Sequence, residues 1–540
     1  MGASTVAATL GQVGLPAPLP ELAARTWDVV VVGGGHNGLV AASYLGRAGL
    51  SVLVLERLPQ LGGATSSQEV FAGVGARLSR YSYLISLLPR KVIDDLGLRL
   101  DLRRRAIAAC APYERNGRQQ ALVLSNVDPE RTRESLEQLG GPDCARQLAA
   151  FEQLAATYGR MVLPSLIAPL RTRADWKASL ATAEEREAWD AFVEQPLGVA
   201  LEERLDDDLL RGVILTDGKT GVSTEAHDPR LLQNRIFAYH GTGEWSVPVG
   251  GMGALVSELA RVAGEAGVTT MTDAVVERIH PGRDRHHVEL SLDGHPLELD
   301  ARWVLVNAGP QALAGMLDRP HEPADEDEGA VMKANMLLRR LPRLKCGIDP
   351  RDAFAGTFRI NERYSEMQQA HRDVVAGEIP ERPAAEVYCH TLTDPSILSP
   401  GLRAAGCHSL TLFGYDIPYS LARTVGPDMA SRVWERYRAG IDEMLDEPLE
   451  DCLAYDIEGR PCLEVKTAVD LEDDLALDRG NIFHKAMTWF FAEDAEDAGS
   501  WGVETDVPRL YRAGASAVRG GAVSGVPGHN AAQRVLADLR

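Results

Sequence analysis

Gly33, Gly35 and Gly38 are spaced as G-x-G-x-x-G directly after the run Asp28-Val29-Val30-Val31-Val32. The chemistry such a spacing serves is the binding of a diphosphate. The first glycine permits a tight turn, the second lets a pyrophosphate approach the backbone, and the third packs a helix against a strand. A helix opening there, with Asn37 in its first turn, offers free N–H groups and the positive end of its dipole. Glu56 ends the next apolar run, 18 residues after Gly38, where a carboxylate can accept hydrogen bonds from an adenosine ribose.

The glycine motif alone does not choose between NAD and FAD. Gly62-Gly63, followed by Ala64-Thr65-Ser66-Ser67, tips the balance. A glycine pair there lets the chain run close beside an extended cofactor, as a flavin's diphosphate and ribityl chain require. A second glycine-rich loop, residues 520–528, leads into the last helix. A helix N-terminus aimed at the pyrimidine edge of a flavin would stabilise the negative charge of its reduced form. FAD is therefore the expected cofactor. Gly250-Gly251-Met252-Gly253 precedes a helix but has no compact strand before it and no acid after it, so it does not read as a separate NAD(P) site.

Stepping outward to the elements that hold these residues, 28–32, 39–48 and 51–55 read as a strand, a helix and a strand, a complete βαβ opening. The segments 275–279, 287–292 and 303–306 read as strands of a small antiparallel unit, the last running into Asn307-Ala308-Gly309-Pro310. Residues 100–245 read as mostly helical and charged. Residues 320–478 mix strands such as 408–413 with helices such as 429–445, and a short helix is expected at 530–539. The acidic run Asp325-Glu326-Asp327-Glu328 reads as a solvated loop.

The chain has 540 residues, and a single core stops growing near ~250–300. At least two cores are expected. The economical arrangement is an FAD-binding domain from 27–100, 246–320 and 479–540, with a substrate domain from 101–245 and 321–478. Residues 1–26 read as a loosely ordered N-terminal extension. A net charge of −21 argues against a broad phosphate-binding surface, so nucleic acid is not an expected partner. Seven cysteines, at 110, 144, 346, 389, 407, 452 and 462, form no CxxC and no zinc spacing; a reduced, cytoplasmic protein without a metal site is expected. No run reaches the ~18–20 apolar residues of a membrane span.

At this point the chain resembles the phytoene desaturase-related branch of the flavin amine oxidase superfamily. The resemblance is carried by residues 31–56 (VVGGGHNGLVAASYLGRAGLSVLVLE), 247–260 (VPVGGMGALVSELA), Asp394-Pro395-Ser396 with Pro400-Gly401, 480–484 (GNIFH) and 525–531 (GVPGHNA). It implies an α/β fold with a discontinuous Rossmann-like FAD-binding domain and a mixed sheet-and-helix substrate domain. It also implies hydride exchange between a carbon chain and flavin N5. The expected FAD contacts are Gly33, Gly35, Asn37 and Gly38 in the first turn, Glu56 and Arg57 after it, and Gly62, Gly63, Ala64 and Thr65 beside it. Val275, Val276, Ala308 and Gly309 are added from the middle of the chain, and Gly514, Ser516, Gly525, Val526, Pro527, Gly528, His529 and Asn530 from its end. Where relatives place an acid after the C-terminal glycine, this chain has Gly514-Ala515-Ser516, which leaves Ser516 or backbone groups for the ribityl–phosphate region. Val518 stands where close relatives often have histidine.

His484 is the expected proton-transfer residue, because it lies shortly before the C-terminal flavin loop and titrates near neutral pH. Lys219 and Lys485 are the lysines considered for an amine-oxidase-like Lys–water–N5 arrangement. Arg80-Tyr81-Ser82-Tyr83 could line the substrate side. Trp489-Phe490-Phe491 either wall an apolar tunnel or fill the core. Residues 161–170, apolar with Arg160, Arg171 and Arg173 at the edges, either dock on a bilayer surface or pack inside. The expected substrate is a small, apolar, isoprenoid- or acyl-like molecule that is desaturated, with oxygen or a quinone as acceptor. Amine oxidation, redox-neutral polyene isomerisation or saturation, and a flavin-bearing interaction protein are the alternatives. Peripheral membrane contact and homo-oligomerisation are left open.

Overall fold

The computed structural model describes residues 19–241 and 245–540. Two seven-stranded sheets organise them. In the first, the order is Ala274–His280, His286–Leu292, His295–Val306, Trp27–Val32, Val52–Leu55 and Thr269–Met271, with Leu510–Arg512 also paired to His295–Val306. Trp27–Val32 is a valine run buried on both faces, which a parallel strand between two neighbours requires. His295–Val306 serves twice. Its first half pairs antiparallel with His286–Leu292 and its second half pairs parallel with Trp27–Val32. The strands expected at 275–279, 287–292 and 303–306 are thus present, but the last belongs to the parallel sheet as well as to the antiparallel unit.

The second sheet runs Leu463–Thr467, Met332–Leu338, His408–Gly414, Ala385–Tyr388, Thr357–Ile360, Ile107–Arg115 and Arg118–Ser125. The expectation of a mostly helical 100–245 holds from Pro129 onward, and the outer hairpin is an exception to it. Residues 107–125 form two strands joined at Asn116 and Gly117, both with positive φ, and helices begin only at Pro129–Gly140. The hairpin's inner face packs against Pro142–Ser165 and its neighbours, burying Tyr113 and Leu122 in the same core as Phe151 and Phe192.

Helix His36–Arg47 lies between helices Met252–Glu265 and Val526–Asp538. Gly528 makes the second contact close: a Cβ there would meet the Asn37 carbonyl oxygen at 2.0 Å. The last helix therefore starts at Val526, four residues before the expected 530, after Gly525 in the left-handed region. Residues 19–24 form a short helix whose Leu22 is buried beside Trp27 and Ala301. The rest of the expected N-terminal extension, up to residue 18, lies outside the described residues.

Other expectations meet specific outcomes. Asp327 accepts from Ala486 N at 2.8 Å and its carbonyl accepts from Asn481 Nδ2 at 3.0 Å, so the acidic run braces the 481–486 segment instead of only facing solvent. Trp489, Phe490 and Phe491 fill the core, Trp489 stacking on Phe491 at 5.3 Å. Val162, Leu166 and Leu170 of the 161–170 segment are buried. No helix among the described residues is long and apolar enough to cross a membrane.

Candidate functional site

The turn between the first strand and helix is built as the spacing demands. Gly33 has φ +99°, and a Cβ there would meet Asn307 O at 2.5 Å; a Cβ at Gly38 would meet Gly33 O at 2.2 Å. Asn307 Nδ2 donates to Gly33 O at 3.1 Å, which ties the turn to the end of His295–Val306. The first helical bond runs from Leu39 N to Gly35 O, so the preceding N–H groups gather at the helix end. Glu56 is buried, and its two oxygens accept from Gly34 N at 2.8 Å and Leu58 N at 2.9 Å. Burial pushes its pKa up against these two bonds. The carboxylate thus shapes the turn as well as facing the space beyond it.

Gly62 runs alongside: its N–H donates to Gly34 O at 2.9 Å, and it bridges in parallel to Gly35. Gly62 and Gly63 both have positive φ, and a Cβ at Gly63 would have only Gly35 Cα nearby, at 3.8 Å. From this crossing a cavity of about 530 Å³ extends between the two sheets. One end is walled by Gly33, Gly35, Asn37, Glu56, Arg57 and Val275 with Val276. The flank is formed by Gly62, Gly63, Ala64, Thr65, Ala308 and Gly309. The other end is closed by Tyr81, Tyr83, Lys333, Phe413, Trp245 and His240.

His484 lies on this wall with φ +66°. Burial draws its pKa down to about 4, against a hydrogen bond to the Ala308 carbonyl, so the imidazole is neutral at physiological pH. Its Nδ1 has no hydrogen-bond partner, and neither has Asn37 Oδ1. His36 holds its Nδ1 2.9 Å from Thr65 Oγ1, and burial takes its pKa to about 4 as well.

Several expected contacts stand elsewhere among the described residues. Gly38 packs under the turn, and Gly514 packs on Asn307, where a Cβ would meet Oδ1 at 2.7 Å. Ser516 turns its hydroxyl to the Ala308 carbonyl at 3.3 Å, behind the wall that Ala515 forms. Gly525, Val526, Pro527, Gly528, His529 and Asn530 sit in the helix–helix contact. His529 pairs with Asn530 Oδ1 at 2.9 Å and packs edge-on against Tyr44, while Asn530 Nδ2 holds Leu166 O at 2.9 Å. Ala522 and Val523, just before that helix, meet the cavity instead. The physical reason is the early helix start, which draws 526–530 into helix packing.

The lysine at the cavity is Lys333, not Lys219 or Lys485. Lys219 is fully buried in an ion pair with Asp416 at 2.9 Å, and its Nζ donates to Thr224 O. Lys333 lies on Met332–Leu338, donates to the carbonyls of Tyr81 and Ser79, and stands 4.6 Å from the Tyr83 ring centre. Burial lowers its pKa well below the usual lysine value. The sequence carries only seven lysines, so a survey of each against the strand pattern could have found it. From the expected 80–83 set, Tyr81, Ser82 and Tyr83 line the cavity, while Arg80 is engaged by Glu464.

The second glycine-rich turn has no N–H left for a ligand. Gly250 N donates to Asp394 Oδ2 at 2.7 Å, Met252 N to Ser79 Oγ at 3.0 Å, and Gly253 N to Ser67 Oγ at 2.9 Å. His390, Ser396 and the Gly250 N–H hold the Asp394 carboxyl well below the usual range.

Comparison with known proteins agrees with this geometry. Residues 31–89 match the model of the NAD(P)-binding Rossmann-like domain. An uncharacterized protein of Mycobacterium tuberculosis is 43% identical over 95% of this chain and 98% of its own length. Pyridine nucleotide-disulfide oxidoreductase domain-containing protein 2 of Mus musculus is 29% identical, covering 95% of this chain and 94% of the mouse protein. Hydroxyneurosporene desaturase of Cereibacter sphaeroides is 29% identical over 55% of this chain and 60% of its own length. Among solved structures, cyclohexylamine oxidase from Brevibacterium oxydans shares the fold with a TM-score of 0.55 at 14% identity, over 95% of this chain and all of that one.

Proposed function

The chain belongs to the phytoene desaturase-related branch of the flavin amine oxidase superfamily, a family of oxidoreductases, and from that premise we propose that it binds FAD and dehydrogenates a carbon substrate with an apolar body. One observation carries this reading: a single cavity connects the glycine turn at Gly33, Gly35 and Glu56 to a chamber walled by Tyr83, Phe413 and Lys333. Its length and its two ends of different chemistry suit a dinucleotide with a reactive ring at the far end. The fit is supported by the unpartnered Asn37 Oδ1, by the opening beside Gly63, and by the free N–H groups of the first helix.

When bound, FAD supplies the electron sink for hydride removal, with oxygen or a quinone as final acceptor. Gly33, Gly35 and the helix N-terminus would hold its diphosphate, Glu56 its adenosine ribose, and Ala308, Gly309 and Ala522 the ring side. The protein's own work is positioning and proton handling. His484, neutral and with Nδ1 unpaired, accepts the proton that leaves the substrate carbon. Tyr83, Phe413, Val331 and Leu84 present an apolar wall that excludes water from the reacting bond. Desaturation of an isoprenoid- or acyl-like chain is the favoured reaction, in line with the name of the desaturase relative.

Lys333 favours a second reading. A buried lysine whose pKa burial draws down, set beside an aromatic ring, suits oxidation of a C–N bond. Anaerobic titration of the FAD-loaded protein tests both. Bleaching of the flavin band by isoprenoid or acyl compounds supports the first reading, and bleaching by amines alone supports the second. A protein that stays colourless and takes up no FAD overturns both.

A further inference from the structure

Beyond Tyr83, Phe413, His240 and Trp245 lies a second chamber of about 340 Å³, which shares those residues as its partition. Its chemistry differs from the first. Arg104, Arg105 and Arg359 face it together with Glu152, Asp217 and Glu386, and the sheet strands Ile107–Arg115 and Thr357–Ile360 hold two of its walls. Arg359 is committed: Nη1 bonds Glu362 at 2.7 Å, Glu386 at 2.9 Å and Thr216 Oγ1 at 2.7 Å. Arg105 is not. It is 8% exposed, its Nη1 donates to the neutral Thr357 hydroxyl at 2.9 Å, and its Nε has no partner. Its guanidinium plane lies 5.5 Å from the Tyr388 ring, and Tyr388 in turn stacks on Tyr83 at 4.5 Å. His240, at the partition, is buried with neither ring nitrogen bonded.

A guanidinium stays charged at every accessible pH, and burying one without an anion is costly. Such a group lining a cavity calls for an anionic ligand. The neighbouring acids Glu152, Asp217 and Glu386 narrow the choice, since a phosphate dianion would meet all three. A monoanion meets less repulsion there. We propose that the second chamber seats a carboxylate of the substrate on Arg105, with the apolar body passing Tyr83 and Phe413 into the first cavity. This rests on the reading that the first cavity is where the substrate is oxidised, and it restricts that substrate to acids with an apolar chain.

Isothermal titration of the full FAD-loaded chain with octanoate, octanamide and octylamine tests it. Octanoate is expected to bind most tightly. Arg105→Gln should weaken octanoate on the order of 30-fold, the loss of a charge-assisted pair, and leave octanamide unchanged. Equal or tighter binding of octanamide or octylamine, no binding of octanoate, or an Arg105→Gln protein that keeps the octanoate preference each overturns the proposal. If Arg105→Gln does not fold, the three-probe comparison on the native chain decides. Flavin content is read separately from visible absorbance. A chain that takes no FAD fails the preceding proposal, while the same titration on it still decides the role of Arg105.

Discussion

Lys333 Nζ stands 4.6 Å from the centre of the Tyr83 ring, and Tyr83 lines both cavities. Two carbonyl oxygens, of Tyr81 and Ser79, accept its protons, and no carboxylate pairs with it among the described residues. Burial lowers its pKa well below the usual lysine value. Replacing it by methionine removes the amine while keeping the bulk. The Lys333→Met protein should fold with a melting temperature within a few degrees of the parent, because the lost bonds contribute only ~1 kcal/mol each. Stopped-flow flavin reduction by a bleaching substrate should slow by about 100-fold, the usual weight of a proton-handling group. Unchanged reduction would leave Lys333 a packing residue.

Gly35 and Gly38 separate cofactor binding from folding. Gly35 has ordinary extended φ and ψ, and a Cβ there would meet the Asn307 side-chain amide at 3.0 Å and the Gly62 carbonyl oxygen at 3.9 Å. Gly38 has no such room, since the Gly33 carbonyl oxygen would lie 2.2 Å from a Cβ. Gly35→Ala should therefore fold but hold FAD weakly, because its methyl occupies the approach a diphosphate needs. Gly38→Ala should lose roughly 1–3 kcal/mol of stability with or without flavin. Thermal melts and flavin retention on gel filtration distinguish the two.

The pH dependence of stability follows from groups around the two chambers. Burial lowers His36, His240 and His484 from 6.5 to about 4. Below pH 6.5 the unfolded chain takes up protons that these buried rings refuse, so their contribution is lost as pH falls from 6.5 towards 4. Asp217 has the opposite sign: burial raises it from 3.8 to about 7, and its cost appears as pH rises through that window. Each group changes stability by about 1.4 kcal/mol per pH unit inside its own window. The melting temperature should thus rise from pH 4 to 6.5, and Asp217→Asn should steepen that rise and lift the plateau at pH 8. A variant that melts like its parent at pH 8 would contradict the raised pKa of Asp217.

What the sequence disclosed follows the reach of local patterns. The turn at Gly33, Gly35 and Gly38 was legible because strand, glycines, helix and Glu56 are contiguous and each residue type answers one steric demand. The hairpin at 107–125 was missed although Asn116-Gly117 is a strong hairpin signal, because the charged residues around it resembled a solvated helix. Lys333 was hidden for a different reason. Its strand is buried on both faces, with Lys333 and Asn335 alternating on one of them, and the pairing with His408–Gly414 and Leu463–Thr467 sets that face toward the cavity. The boundary expected at 530 was not legible: helix Val526–Asp538 begins four residues earlier, and His529 and Asn530 enter its packing. Arg105 follows the missed hairpin's logic, since it lies just before the first hairpin strand and reaches the chamber only once Thr357–Ile360 lies alongside.

Arg519 carries a final prediction about the 161–170 segment. Its guanidinium is 2% exposed and donates to three main-chain carbonyls: Ser165 at 2.7 Å, Ala168 at 2.6 Å and Trp501 at 2.9 Å. Burial lowers its pKa to about 10, so it is charged throughout the physiological range. The end of helix Pro142–Ser165, where Pro164 interrupts regular bonding, is held by this one side chain and by Asn530 Nδ2 on Leu166 O. Arg519→Leu leaves three buried acceptors without a donor, a cost on the order of 3 kcal/mol or more. The variant should melt several degrees lower, and trypsin should cut it faster at Arg160, Arg171 or Arg173 than the parent. If the apolar stretch docks on lipid once freed, Arg519→Leu should float with anionic vesicles while the parent stays behind. Flotation of the parent itself would mean that the segment leaves its site without help, and that Arg519 holds it less firmly than three charge-assisted bonds imply.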